Sequence, residues 1–198
     1  MTPVVAVFLK APRSGSVKTR LAATIGDRQA IRLYRVMASR TLAAVAEAGL
    51  TAMIWFTPTD AVAEMRHWLG EGWDFRPQAS GDLGARLAAA EQAVPRGRDW
   101  LAIGGDCPRL DAELLRVAAA IVARGEIALG PTTDGGYYLI GGRTPLPAPL
   151  FDGIAWGTSC VLEETRARLA RAGLTWRELP TLRDVDTAED ARAEGLLT

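Results

Sequence analysis

Apolar residues along this chain follow two alternating rhythms. Short apolar runs at residues 4–9, 53–57, 100–103, 127–129 and 137–140 have the length and residue types of strands, and weaker strand signals stand at 75–78 and 175–179. Between them, apolar positions recur at intervals of three and four. Ile31, Leu33, Tyr34, Met37, Leu42 and Val45 mark a long helix that Gly49 closes. Further helices are expected at residues 62–69, 83–94, 111–124 and 161–172, the last ended by Gly173. Asp111 stands where its helix needs a cap, and Thr187-Ala-Glu-Asp190 fits a capping box that opens a final helix. Strands alternating with helices predict an α/β fold, a three-layer α/β/α sandwich around a mixed but mostly parallel sheet. In such sheets ligands bind beyond the carboxyl ends of the strands, so the strand-to-helix loops are where chemistry is expected.

Composition narrows the classes. With 198 residues the chain suits one domain over 1–198 with a single good core. The formal net charge is zero, so no global field recruits nucleic acid or an anionic membrane, and any phosphate binding must be local. The apolar run at 4–9 is too short to span a bilayer and has no small-residue cleavage site behind it, which gives a cytoplasmic expectation. Cys107 and Cys160 show no CxxC or Cys/His spacing, so neither a zinc site nor a disulfide framework is indicated. His67 has no partner at ligand spacing.

The loop after the first strand, Lys10-Ala-Pro-Arg-Ser-Gly-Ser-Val-Lys-Thr-Arg20, holds four cations and no acid. It also holds both lysines of a chain with 23 basic residues. A lysine ammonium is a compact point charge on a flexible stem, suited to phosphate oxygens, so Lys10, Arg13, Lys18 and Arg20 are candidate phosphate ligands. A solvated basic turn is the competing reading. The loop is neither a Walker A motif nor a GxGxxG turn.

Carboxylates supply the second half of the chemistry. Asp106 follows a central strand and Gly104-Gly105, with Asp111 already capping the next helix. It could therefore hold a divalent cation, which takes hard oxygen ligands, or it could simply close a turn. Of Asp184 and Asp186, one is expected to face the site and the other to cap the last helix. Asp134-Gly135-Gly136 reads either as a tight hairpin turn or as a glycine-walled floor with Asp134 reaching an acceptor. Gly81-Asp82-Leu-Gly84 reads as a helix cap or as a turn against a nucleobase. Trp156 could line an acceptor pocket or pack.

Taken in order, Lys10-Ala-Pro…Gly15…Val17-Lys-Thr-Arg-Leu21, Gly81-Asp-Leu-Gly84, Gly105-Asp-Cys-Pro108, Asp134-Gly-Gly-Tyr-Tyr-Leu139 and Asp184-Val-Asp-Thr187 resemble a family of small standalone GT-A-fold nucleotide-diphospho-sugar transferases. Some members are called arsenosugar-biosynthesis glycosyltransferases. The same order is more distantly similar to molybdenum-cofactor and phospholactate guanylyltransferases. The resemblance implies a GT-A sheet, with Lys10, Lys18 and Arg20 on phosphates. It puts Gly81, Asp82 and Gly84 at the base, and Mg²⁺ or Mn²⁺ on Asp106 and Asp186. Pro108 stands where many GT-A enzymes have the second aspartate of Asp-x-Asp.

The expected protein is a metal-dependent transferase using a nucleotide or nucleotide-sugar substrate and a small-molecule acceptor, with no nucleic acid or membrane partner. Asp106 and Lys18 would stabilise charge on the reacting phosphates. Asp134 would serve as base, with Gly135, Gly136 and Trp156 around the acceptor. Nucleotidyl transfer to a phosphorylated acceptor and a non-catalytic nucleotide sensor are the rivals.

Overall fold

A computed structural model of the chain describes residues 2–197. Seven strands form one sheet: β1 (Val4–Lys10), β2 (Thr51–Thr57), β3 (Asp74–Pro77), β4 (Asp99–Gly104), β5 (Ile127–Pro131), β6 (Tyr137–Arg143) and β7 (Trp176–Glu178). Their order across the sheet is β3-β2-β1-β4-β6-β5-β7. β6 runs antiparallel to both neighbours, β4 and β5, and every other pairing is parallel. This is the mixed, mostly parallel sheet expected from the strand-helix alternation.

Helices cover both faces: α1 (Thr19–Ile25), α2 (Asp27–Glu47), α3 (Val62–Leu69), α4 (Leu83–Gln92), α5 (Ala112–Ala123), α6 (Val161–Arg171) and α7 (Ala188–Ala193). Because strand side chains alternate between faces, Val5, Val7 and Leu9 of β1 pack with Ile54, Phe56, Leu101 and Ile103 under α2, α3 and α5. Ala6 joins Trp55, Trp100, Ala102 and Ile140 beneath α4 and Phe151 on the other face. A third, smaller cluster sets Leu21 of α1, Met37 of α2 and Ala188 and Ala191 of α7 around Val185. Among the described residues no helix is long and apolar enough to cross a membrane.

Local signals explain most element ends. Asp111 caps α5 by accepting from the Leu114 N–H, and Thr187 and Asp190 form the capping box of α7. The helical pattern gives no signal for α1, whose first two residues fall in the stretch read as the basic loop. α1 is seven residues long with only Leu21 buried, too short for a helical period to show. α2 accordingly starts at Asp27, one residue after Gly26, which ends α1 and has φ 80°.

The chain leaves β1 towards β2 on one side, while β4 has β6 on its other side. The carboxyl ends of β1 and β4 therefore flank the topological switch point, the crevice where open α/β sheets bind ligands.

β6 approaches β4 too closely for a side chain at Gly141. A β-carbon there would lie 2.4 Å from the Trp100 carbonyl oxygen and 3.0 Å from the Leu101 Cα, neither of which can swing away. Gly141→Ala is expected to cost about 2–3 kcal/mol in urea unfolding; an unchanged midpoint would contradict this packing.

Candidate active site

Three chain segments meet at the switch point, each fixed by its own local packing. The loop leaving β1 is pinned where the Tyr34 hydroxyl of α2 accepts from the Lys10 N–H at 2.8 Å and donates to the Lys10 carbonyl at 3.0 Å. Val17 is buried beyond it. Lys18 then adopts φ 48° and ψ 46°, the left-handed region, at the start of α1. It is the one non-glycine residue with positive φ among those described. Residues other than glycine rarely sit there, and such outliers gather at functional sites.

The second segment follows β4. A β-carbon on Gly105 would strike Leu9 Cδ2 at 2.4 Å, so this glycine lets the turn settle on β1 and α2. One on Gly104 would lie 2.8 Å from Asp106 Oδ1. The two glycines thus let the backbone seat against the core while the Asp106 carboxylate folds back over the strand end.

The third segment precedes α7. The Val185 N–H donates to the Asp106 carbonyl at 3.1 Å, and the Val185 side chain is buried in the small cluster. Residues two apart in an extended stretch share a face. With Val185 turned inward, Asp184 and Asp186 are both available to the site. The expectation that one of them caps the last helix is therefore corrected: Thr187 and Asp190 do that work.

Lys18 joins the three segments. Its ammonium donates to Asp106 Oδ2 at 3.0 Å and to Asp186 Oδ1 at 2.7 Å. The Lys18 side chain is only 7% exposed, against 37% for Asp106 and 31% for Asp186. Burial works against its charge, but Asp106 and Asp186 more than offset it, so the lysine pKa is held above its ordinary value. Arg20 pairs with the other oxygen of Asp186 from solvent. At Asp184 the charged form is instead disfavoured. Burial first, then Asp134, Asp106 and Asp186, push its pKa up to about 6.

Two cavities meet at Asp106. One of about 340 Å³ lies between the ends of β1 and β4 and α4, and carries Lys10, Gln78 and Arg86 among apolar walls. The other, about 200 Å³, is lined by Asp106, Asp134, Asp184, Thr132, Trp156 and both tyrosines 137 and 138. A wider open groove of about 930 Å³ runs along α2 past Arg28, Arg32 and Arg40, but its aspartate is Asp27, and Asp106, Asp134 and Asp184 do not line it. Convergent titratable groups, not volume, identify the candidate site.

The remaining candidates divide. Lys10 lines the larger cavity. Arg13 turns away from it, pairing with Glu64 at 2.8 Å and Asp60 at 3.3 Å. Asp82 caps α4 by accepting from the Ala85 N–H at 2.8 Å. Gly81 has φ 103°, and a β-carbon on Gly84 would lie 2.1 Å from the Phe151 carbonyl oxygen, so Gly84 is needed for close packing of α4 on that turn. The start of α4 instead presents Leu83 and Arg86. Sequence reasoning missed Arg86, whose guanidinium donates to Gln78 Oε1 at 3.3 Å and to the Gly81 carbonyl at 3.1 Å. Gln78 is held in turn by the Leu9 and Trp55 carbonyls. A polar residue directly after β3 was the available signal.

Asp134 Oδ1 accepts from Thr132 Oγ1 at 2.6 Å and from the Gly136 N–H at 3.0 Å, a locally closed turn that still lines the smaller cavity. Gly135, with φ 88°, would drive a β-carbon to 2.2 Å from the Ser159 carbonyl oxygen. Its role is close packing against the turn that carries Trp156. Trp156 meets Tyr137 edge-on at 6.2 Å. Cys107 is buried, and burial raises its thiol pKa, so it is no nucleophile.

The donor set suits a hard divalent ion. Two carboxylates from distant segments already share one cation, and Mg²⁺ commonly takes one or two carboxylates, completing its shell with substrate phosphates and water. Among the described residues, no group of three or more His, Cys, Asp or Glu is placed to hold a metal ion by itself.

The chain belongs to the family described as "Uncharacterized protein conserved in bacteria (DUF2064)", whose profile matches residues 41–158. A crystal structure from Desulfovibrio desulfuricans G20, of a protein provisionally named a nucleotide-diphospho-sugar transferase, is 34% identical over 98% of this chain and 87% of that one, with a TM-score of 0.91. Two more distant structures share the fold. One is Rv0371C of Mycobacterium tuberculosis H37Rv in complex with manganese (22% identity, 99% and 98% of the two chains, TM-score 0.58). The other is the inositol-1-phosphate CTP transferase of T. maritima (11% identity, 98% and 94%, TM-score 0.65). No curated protein matches the chain significantly. The fold is thus of the GT-A type that the motif order implies.

The raised pKa of Asp184 has a measurable consequence. Between the ordinary value near 3.8 and about 6 the folded protein binds this proton better than the unfolded chain does, so its contribution to stability falls as pH rises through that window. Asp184→Asn in metal-free buffer is expected to raise Tm at pH 7.5 by about 2–4 °C, after allowing for solvent screening, and by less at pH 4.5. An equal gain at both pH values would contradict the assignment.

Proposed function

We propose that this protein is a divalent-metal-dependent transferase acting on a nucleotide-activated substrate, and that the group it moves is a sugar carried on a nucleoside diphosphate. The observation that carries this reading is the Asp106–Asp186 pair sharing one cation at the switch point, with a cavity opening on either side of Asp106.

The larger cavity suits the nucleotide. Its apolar walls, Phe8, Leu83, Leu87 and Ile103, accept a flat base, while Lys10 and Arg86 offer donors. Lys18 and Arg20 lie where phosphate charge would build beside Asp106 and Asp186. Those two aspartates would hold Mg²⁺ or Mn²⁺. When bound, the ion supplies Lewis-acid stabilisation of charge on phosphate oxygens. Manganese is the first ion to test, since a protein of the same fold is complexed with it.

The smaller cavity suits the acceptor. Its lining includes Asp106, Asp134 and Asp184 and no lysine, arginine or histidine. Such a wall favours a neutral hydroxyl-bearing acceptor and repels a phosphorylated one, which supports glycosyl over nucleotidyl transfer. In this reading Asp134, whose Oδ2 is not used by the local turn, takes the acceptor hydroxyl proton. The acceptor oxygen bonds to the anomeric carbon as the bond from that carbon to the diphosphate oxygen breaks, and the electron pair leaves with the nucleoside diphosphate. The provisional name of the Desulfovibrio desulfuricans relative supports the same substrate class.

Incubation with Mn²⁺ and a panel of nucleotide sugars or nucleoside triphosphates tests the reading through its by-product. Release of nucleoside diphosphate is expected; pyrophosphate release from a triphosphate would shift the reaction to nucleotidyl transfer, and stabilisation by nucleotide without turnover of any panel member would indicate a sensor. Asp106→Asn is expected to lower turnover at least about 100-fold while the protein stays folded. Near wild-type turnover in that variant would remove Asp106 from the site.

A further inference from the structure

On the metal reading above, Asp106 and Asp186 hold a divalent ion, yet in the structure both are already neutralised from within. The Lys18 ammonium lies 3.0 Å from Asp106 Oδ2 and 2.7 Å from Asp186 Oδ1, sheltered from solvent. We propose that Lys18 is an internal counter-ion that competes with the divalent cation for these carboxylates, so that the cation binds tightly only alongside a phosphate-bearing ligand that takes up the ammonium.

The electrostatics force a choice. A lysine ammonium and a divalent ion cannot both lie between the same two oxygens, because like charges at such separation repel strongly in a partly buried site. One must leave, and Lys18 is built to do so. Its four-carbon stem is flexible, and its ammonium accepts any compact anion. Its left-handed backbone, the sole non-glycine instance among the described residues, holds it in a conformation disfavoured for a side-chain-bearing residue. The displaced charge still needs an anion, and the cavity lined by Lys10 and Arg86 brings phosphates to the same carboxylate. Arg20 already occupies the outer oxygen of Asp186, so that aspartate keeps one cationic partner when Lys18 departs. Ion and nucleotide then bind with positive coupling, each removing an obstacle to the other.

This goes beyond the proposed activity and depends on its metal assignment, so the test separates the two. Calorimetric titration of nucleotide-free protein with MnCl₂ compares wild type, Lys18→Met, Lys18→Gln and Asp106→Asn. Both Lys18 variants are expected to bind Mn²⁺ roughly tenfold tighter than wild type, or more. If wild type binds Mn²⁺ and Asp106→Asn does not, yet the Lys18 variants bind no tighter, the counter-ion role is overturned and the metal assignment stands. If no form binds Mn²⁺ even with GDP or UDP present, the metal assignment falls and takes this proposal with it. A second measurement avoids any folding defect of the variants. The chain has two lysines, Lys10 and Lys18, so ¹³C/¹⁵N-lysine labelling gives two side-chain signals. In wild type the Lys18 signal is expected to shift away from its carboxylate-paired position to that of a phosphate-paired ammonium on saturation with Mg²⁺ and GDP or UDP. A Lys18 signal that stays in place while Mg²⁺ binds would overturn the proposal.

Discussion

A single buried ammonium organises this end of the molecule. Three segments separated by 88 and 168 residues in sequence converge because Lys18 bonds to Asp106 and Asp186 at once. The backbone reinforces the convergence, since the Val185 N–H is spent on the Asp106 carbonyl and the Val185 side chain is sealed among Leu21, Met37 and Ala188. Taking away either aspartate leaves a sheltered ammonium with one partner fewer, a cost that solvent at the half-exposed carboxylates partly screens. The left-handed backbone at Lys18 costs about 1–2 kcal/mol in the opposite sense. Lys18 nevertheless keeps that conformation with both ion pairs formed.

Around that point, missing β-carbons decide where backbone can go. Gly104 leaves room for the Asp106 carboxylate, Gly105 for Leu9, Gly84 for the Phe151 carbonyl and Gly135 for the Ser159 carbonyl. These contacts are mutually dependent in function. Gly84 lets α4 close on the 151–156 turn, which sets Leu83 and Arg86 at one cavity and Trp156 at the other. A site made from loops is thereby tied to a rigid sheet, as catalytic or binding constellations require.

How much of this the chain discloses before folding follows from the range of each interaction. Strands buried on two faces and helices with local caps carry their signals in adjacent residues, so the sheet, Asp111 and the Thr187–Asp190 box are legible. The gathering of Lys18, Asp106 and Asp186 was inferred through family resemblance, because nothing in local patterning links positions so far apart. Where local and functional readings of one motif compete, the outcome turns on packing that no short window contains. Asp82 is a cap, Gly84 a helix contact and Arg13 a partner of Glu64 and Asp60. Arg86 was illegible for the same reason: its position depends on Gln78, itself anchored by carbonyls of β1 and β2.

The account stands on one cation locus shared by carboxylates from the middle and the late part of the chain, Asp106 and Asp186. Diffraction from crystals grown with Mn²⁺ and a nucleoside diphosphate, recorded at the manganese absorption edge, locates the ion directly. An anomalous peak contacted by both Asp106 and Asp186, with the Lys18 ammonium moved onto phosphate, is the expected result. A peak elsewhere, or nucleotide bound with Lys18 still clasped between the two aspartates, would contradict it.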